Sequence, residues 1–208
     1  MHMTPSHRTA RSFLPRGLLS LALMLVLSGC SPGPVEWNGK DISELMPELA
    51  YQLVDEQGNP ATAEDYAGQV RLLFFGFTHC PDICPATLAH LRNALREIPE
   101  QQRDDVTVLF VSVDPKRDDP EVLAEYTEYF GPNFVGMTGT EPELRKLSQR
   151  YRTTFGYGEP DAEGHYDVSH SSAIYAFDRE GNARLLLRSE LTPEQIAEDL
   201  THLLNEDR

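Results

Sequence analysis

The stretch from Leu72 to Ile98 constrains this chain most, because it specifies a strand, a cysteine loop and a helix in direct succession. Leu72-Leu73-Phe74-Phe75-Gly76-Phe77 carries no polar side chain, the pattern of a strand buried on both faces rather than of one with an alternating exposed face. Thr78-His79-Cys80-Pro81-Asp82-Ile83-Cys84-Pro85 follows, and Leu88, Leu91, Leu95 and Ile98 then recur at helical spacing. Pro85 is predicted at the first helical position, where a missing N–H costs nothing. Two cysteines four residues apart thus lie between a strand's end and a helix's start, near enough to share one ligand or form a disulfide. The helix N-terminus, with its unpaired N–H groups and its dipole, is expected to favour a thiolate at Cys84.

The rest of the chain supplies a sheet for that unit. Tyr51–Val54, Val106–Val113 and Phe134–Met137 read as strands. Asp119-Pro120 caps a helix that Gly131-Pro132 ends, and Thr140 with Glu143 has capping-box spacing. Ala173–Phe177 and Ala183–Leu187 flank the turn Asp178–Asn182 as a hairpin, and Thr192-Pro193 opens a last helix. Residues 152–169 read as a long irregular segment, the kind of loop that is usually functional or mobile. Helices between strands imply parallel crossovers, and the hairpin adds antiparallel strands. The expected fold is α/β and thioredoxin-like, a central mixed β-sheet flanked by helices.

The N-terminus reads as a targeting segment. Arg8, Arg11 and Arg16 precede an apolar run from Leu18 to Leu27, too short to span a bilayer. Leu27-Ser28-Gly29-Cys30 looks like a bacterial lipobox, so residues 1–29 are expected to be a lipoprotein signal peptide and Cys30 the lipidated residue. Residues 30–45, with Pro32 and Pro34, are expected to form a flexible tether, and 46–208 the folded domain. Lipidating Cys30 would turn an odd count of three cysteines into an even pair. That pair would lie in an oxidising compartment. The formal charge is −15, or −18 once the three arginines of the signal segment are removed, which excludes nucleic acid as a partner.

Three separated motifs carry a family resemblance. Phe77-Thr78-His79-Cys80-Pro81-Asp82-Ile83-Cys84-Pro85, Val111-Ser112-Val113-Asp114-Pro115-Lys116-Arg117-Asp118 and Val168-Ser169-His170-Ser171 together resemble the SCO/SenC family, over about residues 45–205. Members of that family are copper chaperones that help assemble the CuA centre of cytochrome c oxidase. The resemblance implies one copper ion per chain, as Cu(I), Cu(II) or both, bound by Cys80, Cys84 and His170. It implies as partners the CuA-bearing oxidase subunit and other periplasmic copper chaperones or thiol reductants. The place implied is the periplasmic face of a membrane, the inner one expected, held by the lipid anchor. The residue types agree, since thiolates suit Cu(I) and imidazole suits either oxidation state. His170 also precedes the strand Ala173–Phe177, where thioredoxin-like proteins place a cis-proline against their cysteines. Asp114, at a strand end on the cysteine-loop edge, and Asp82, between the cysteines, are expected to support the site from outside the ligand set.

A metal-free alternative remains. Cys80 and Cys84 would then be the redox pair of a thiol–disulfide reductase keeping the oxidase cysteines reduced, although C-x-x-C is the more usual dithiol spacing. A peroxidase of the thioredoxin superfamily needs Thr three residues before its reactive cysteine, and Phe77 stands there. A stoichiometric chaperone would not be an enzyme.

Overall fold

The computed structural model describes His2 and residues 35–206; Cys30, and the signal segment apart from His2, lie outside the described residues. The folded body begins at Glu36. Three adjacent parallel strands form the centre of its sheet: β4 (Val70–Gly76), β5 (Val106–Ser112) and β6 (Phe134–Thr138). Antiparallel strands extend it both ways, with β9 (Ile174–Phe177), β10 (Ala183–Leu187) and β1 (Lys40–Asp41) beyond β4. On the other side β2 (Gln52–Asp55) and β3 (Pro60–Thr62) lie beyond β6. The order is β1-β10-β9-β4-β5-β6-β2-β3.

Every residue of β4 and of β5 is buried, because helices cover both sheet faces. Leu72, Phe74, Val108 and Phe110 face a core shared with Leu88 and Leu91 of helix α1 (Ile83–Glu97) and with Leu200 and Leu203 of the C-terminal helix. Leu73, Phe75, Leu109 and Val111 face the opposite core, with Leu144, Leu147 and Tyr151. Four further helices follow: α2 (Glu100–Arg103), α3 (Pro120–Glu128), α4 (Glu141–Arg150) and α5 (Pro193–Asn205). The expected caps form. Asp119 accepts from Val122 N–H at 2.9 Å, and Thr140 and Thr192 make capping boxes.

Three expectations need correction. Helix α1 starts at Ile83, two residues before Pro85, so Cys84 lies inside the first turn. It shares one buried face with Leu88, Leu91 and Leu95, and its side chain therefore enters the core. The expected tether ends earlier than residue 45. Fully buried Asp199 accepts from the backbone N–H groups of Asn38 (2.9 Å) and Gly39 (2.8 Å), Trp37 meets His202 edge-on, and Ile42 is buried. Two backbone bonds to one buried carboxylate hold this segment as part of the domain. Residues 152–169, expected to be irregular, contain a two-stranded arm: β7 (Gly156–Tyr157) pairs antiparallel with β8 (Val168–Ser169).

Candidate metal centre

Three chain segments converge at the carboxyl end of β4. The first is the cysteine loop leaving Gly76. The second is the turn after β5, whose Val113 N–H bonds Gly76 O at 2.8 Å. The third is the end of the β7–β8 arm, which leads through His170 into β9; β9 runs antiparallel to β4, with Ile174 opposite Phe74. His170 is thereby delivered beside the cysteines although 86 residues separate it from Cys84.

The ligand-capable atoms of Cys80, Cys84 and His170 lie within 4.8 Å of one another, and no other such group exists among the described residues. Cys84 Sγ is 3.3 Å from His170 Nε2, and Cys84 N–H donates to Cys80 Sγ at 3.3 Å. Both cysteines are free thiols. His170 Nδ1 stands 3.0 Å from Ser171 O, an acceptor only, so Nδ1 carries the proton and Nε2 offers its lone pair to the sulfurs. Phe74 and Phe77 hold the imidazole edge-on at 6.0 and 5.7 Å between centroids. Ligand atoms about 2.0–2.3 Å from a metal ion stand roughly 3.5–4 Å apart in a trigonal plane, so this S₂N set can take one ion with little movement.

Burial decides the protonation of Cys84 in the metal-free protein. Cys84 is wholly inaccessible, and desolvation pushes its thiol well above the usual cysteine range, with the Cys80 sulfur adding in the same direction. The thiolate expected from the helix terminus therefore does not form, because the loss of water outweighs the dipole. Cys84 rests as a thiol donating to His170 Nε2, and an entering cation must displace that proton. Gly76 makes room for the sulfur: a Cβ there would stand 2.8 Å from Cys84 Sγ and 2.5 Å from the Phe110 ring.

Of the two supporting residues expected, Asp114 is tied to the site through its neighbours and Asp82 is not. Asp82 is exposed and its side chain caps nothing. Asp114 is fully buried but touches none of the three ligands; it accepts from Tyr166 Oη at 2.6 Å and from Arg117 Nε. The carboxylate that braces the cysteine loop is Asp118, which sequence reasoning left without a role. Also fully buried, it accepts from Thr78 N–H (2.9 Å), Thr78 Oγ1 (2.6 Å) and Ser112 Oγ (2.5 Å). Hydroxyls at the ends of two apolar strands were the available signal, since such groups need a buried acceptor. His79 is exposed, with Nδ1 at 3.1 Å from Thr78 Oγ1, and His165 pairs with Asp161 at the arm's tip. The site opens into a cleft of about 520 Å³ lined by His79, Cys80, Arg117, Tyr166 and His170 among others. A larger cleft, about 710 Å³, lies against Tyr51 and α4 and has no thiol or imidazole on its walls, so size does not mark the site.

Known proteins resemble this chain over most of its length. A putative copper-binding protein of Stutzerimonas stutzeri is 34% identical over 163 residues, 78% of either chain. The mitochondrial SCO2 homologue of Mus musculus is 34% identical over 171 residues, 79% of this chain and 67% of its own. Bradyrhizobium japonicum ScoI, solved with copper bound, superposes with a TM-score of 0.68 at 34% identity, covering 76% of this chain and 99% of its own. Yeast Sco1 with copper bound gives 0.71 at 30% identity, covering 77% and 90%. The fold is thioredoxin-like, as expected. Residues 43–205 match the SCO1/SenC family description, and with these likenesses over most of its length the chain belongs to that family.

Proposed function

We propose that the chain is a copper chaperone that holds one copper ion between Cys80, Cys84 and His170 and delivers it to the CuA-bearing subunit of cytochrome c oxidase. The observation that carries this reading is the meeting of two sulfurs and one imidazole nitrogen within 4.8 Å, with Cys80 and His170 on the wall of an open cleft. Two soft donors hold Cu(I), the nitrogen completes a sphere fit for Cu(II), and three ligands leave a side from which copper can pass on. A closed four-ligand cage would retain a structural ion instead. Copper here is cargo, passed between other periplasmic copper chaperones and the oxidase subunit, with thiol reductants as partners that keep the cysteines reduced.

The lipobox supports an anchor at Cys30 that holds the domain to the periplasmic face of the inner membrane. Among the described residues no helix is long and apolar enough to cross a membrane. Cys30→Ala is expected to abolish lipid labelling and to release the protein into the soluble periplasmic fraction. A labelled variant, or one still processed and held as before, contradicts the anchor.

The test of the site is His170→Ala. The fold and the ability to form a Cys80–Cys84 disulfide should persist, the Cu(II)–thiolate absorption should vanish, and Cu(I) affinity should fall less. Unchanged Cu(II) binding removes His170 from the site. A second reading, a thiol–disulfide reductase acting on the oxidase cysteines, is favoured by one observation: both thiols are free and adjacent, with Cys80 the more exposed. Full oxidase assembly by a variant that binds no copper assigns the function to that reading.

A further inference from the structure

His170 is the one member of the cluster not carried by the cysteine loop; it follows directly on β8, the return strand of the β7–β8 arm. Two phenols tie that arm to the body. Tyr157 Oη donates to Val113 O at 2.6 Å, and Tyr166 Oη donates to Asp114 Oδ1 at 2.6 Å. Asp114 is fully buried, and its other oxygen is held by Arg117 Nε. The Arg117 guanidinium lies 4.1 Å from the Tyr166 ring centroid and 5.7 Å from that of Phe77. Phe77 in turn meets the His170 ring edge-on. Val113 and Asp114 both follow the carboxyl end of β5, the strand paired with β4, so the arm is fastened to the floor from which the cysteine loop rises. Between Tyr166 and His170 the chain is stiffened by the pairing of Val168 with Tyr157 and of Ser169 with Gly156.

We propose that Tyr166 is a positioning residue. Bonded to buried Asp114, it latches the arm so that His170 Nε2 stands at the thiol pair. Release of that bond frees the imidazole while the cysteines keep the ion. The inference rests on the reading of the cluster as a copper site and adds to it a movable third ligand. A latched imidazole favours Cu(II), whereas an unlatched one leaves a two-sulfur site that still suits Cu(I). A phenol on a buried carboxylate is a strong, charge-assisted contact, yet this one is a single bond near the surface, so it can both hold and open.

Tyr166→Phe removes the hydroxyl and nothing else. In the full chain, reduced and metal-free, amide exchange over residues 156–170 should quicken about tenfold, the size of one such bond, while β4 and β5 exchange as before. Cu(II) affinity should fall by a similar factor and the Cu(II)–sulfur absorption should shift toward that of His170→Ala, with Cu(I) affinity little altered. Unchanged arm exchange overturns the latch. Faster arm exchange with an unaltered Cu(II) spectrum overturns its hold on His170. Should the substitution also loosen the core, Tyr157→Phe opens the same arm from its other phenol and decides by the same two readings. A wild-type chain that binds no copper contradicts the proposed function instead, and the exchange measurement, made without metal, still decides the latch.

Discussion

Cys84→Ser is expected to lower Cu(I) affinity by on the order of 10²–10³-fold. The scale follows from a four-ligand zinc site worth roughly 10–16 kcal/mol, or about 3 kcal/mol per ligand. Serine keeps the shape but stays protonated and is a hard donor, so it cannot replace the sulfur for a soft cation. The buried hydroxyl still has His170 Nε2 within reach, since Cys84 Sγ lies 3.3 Å from it, so the fold should survive with a loss of about 1–2 kcal/mol. Competition with a chromophoric Cu(I) chelator measures the affinity, and an unaltered constant excludes Cys84 from the site. The raised Cys84 pKa adds a pH test whose sign can be worked out. Below that pKa the metal-free site holds the proton, and binding releases it. Apparent affinity should therefore climb with pH, by up to about tenfold per unit for this one proton. The folding contribution has the opposite sense. A thiol raised above its unfolded value stabilises the metal-free fold fully at low pH, and loses that contribution as pH rises past the ordinary thiol range.

The elements legible from sequence were those whose burial on two faces leaves a mark in every residue. Val106–Ser112 and Val70–Gly76 have no polar break long enough to read otherwise, and the caps at Asp119, Thr140 and Thr192 rest on local chemistry that needs no partner. The strands that escaped, β1, β3, β7 and β8, are two or three residues long, too short for any period to show, and they exist because a neighbour offers hydrogen bonds. The arm is the instructive case: its length and three glycines suggested irregular chain, yet two phenols fasten it to Val113 and Asp114. Cys80, Cys84 and His170 could be named because the motifs that hold them resemble those of the SCO/SenC family. Their environment could not be, since the desolvation of Cys84 depends on how the first turn of α1 faces the core. Asp114 and Asp118 look alike in the sequence, four residues apart after the same strand. Only the packing separates them, one toward the arm and one toward the cysteine loop.

That division makes Asp118→Ala the substitution with the largest expected effect on the fold. Asp118 is fully buried and accepts three hydrogen bonds, two from Thr78 at the base of the cysteine loop and one from Ser112 at the end of β5. Alanine leaves a backbone N–H and two hydroxyls without their acceptor, and each buried unpaired group costs about 1–3 kcal/mol. Partial access of water to Thr78 moderates this, so a loss of roughly 3–5 kcal/mol is expected, lowering Tm by about 10 °C. Asp118→Asn separates charge from shape. Its carbonyl can keep Thr78 N–H and Ser112 Oγ, and the Thr78 hydroxyl can turn to accept from the new amide, so about 1–2 kcal/mol should be lost. Thermal unfolding of both variants in the reduced, metal-free state measures these effects, and an alanine variant within about 2 °C of wild type contradicts the bracing role. The copper readout then follows from the same contacts. Thr78 lies two residues before Cys80, so loosening it should weaken Cu(I) and Cu(II) alike, whereas loss of His170 acts chiefly on Cu(II).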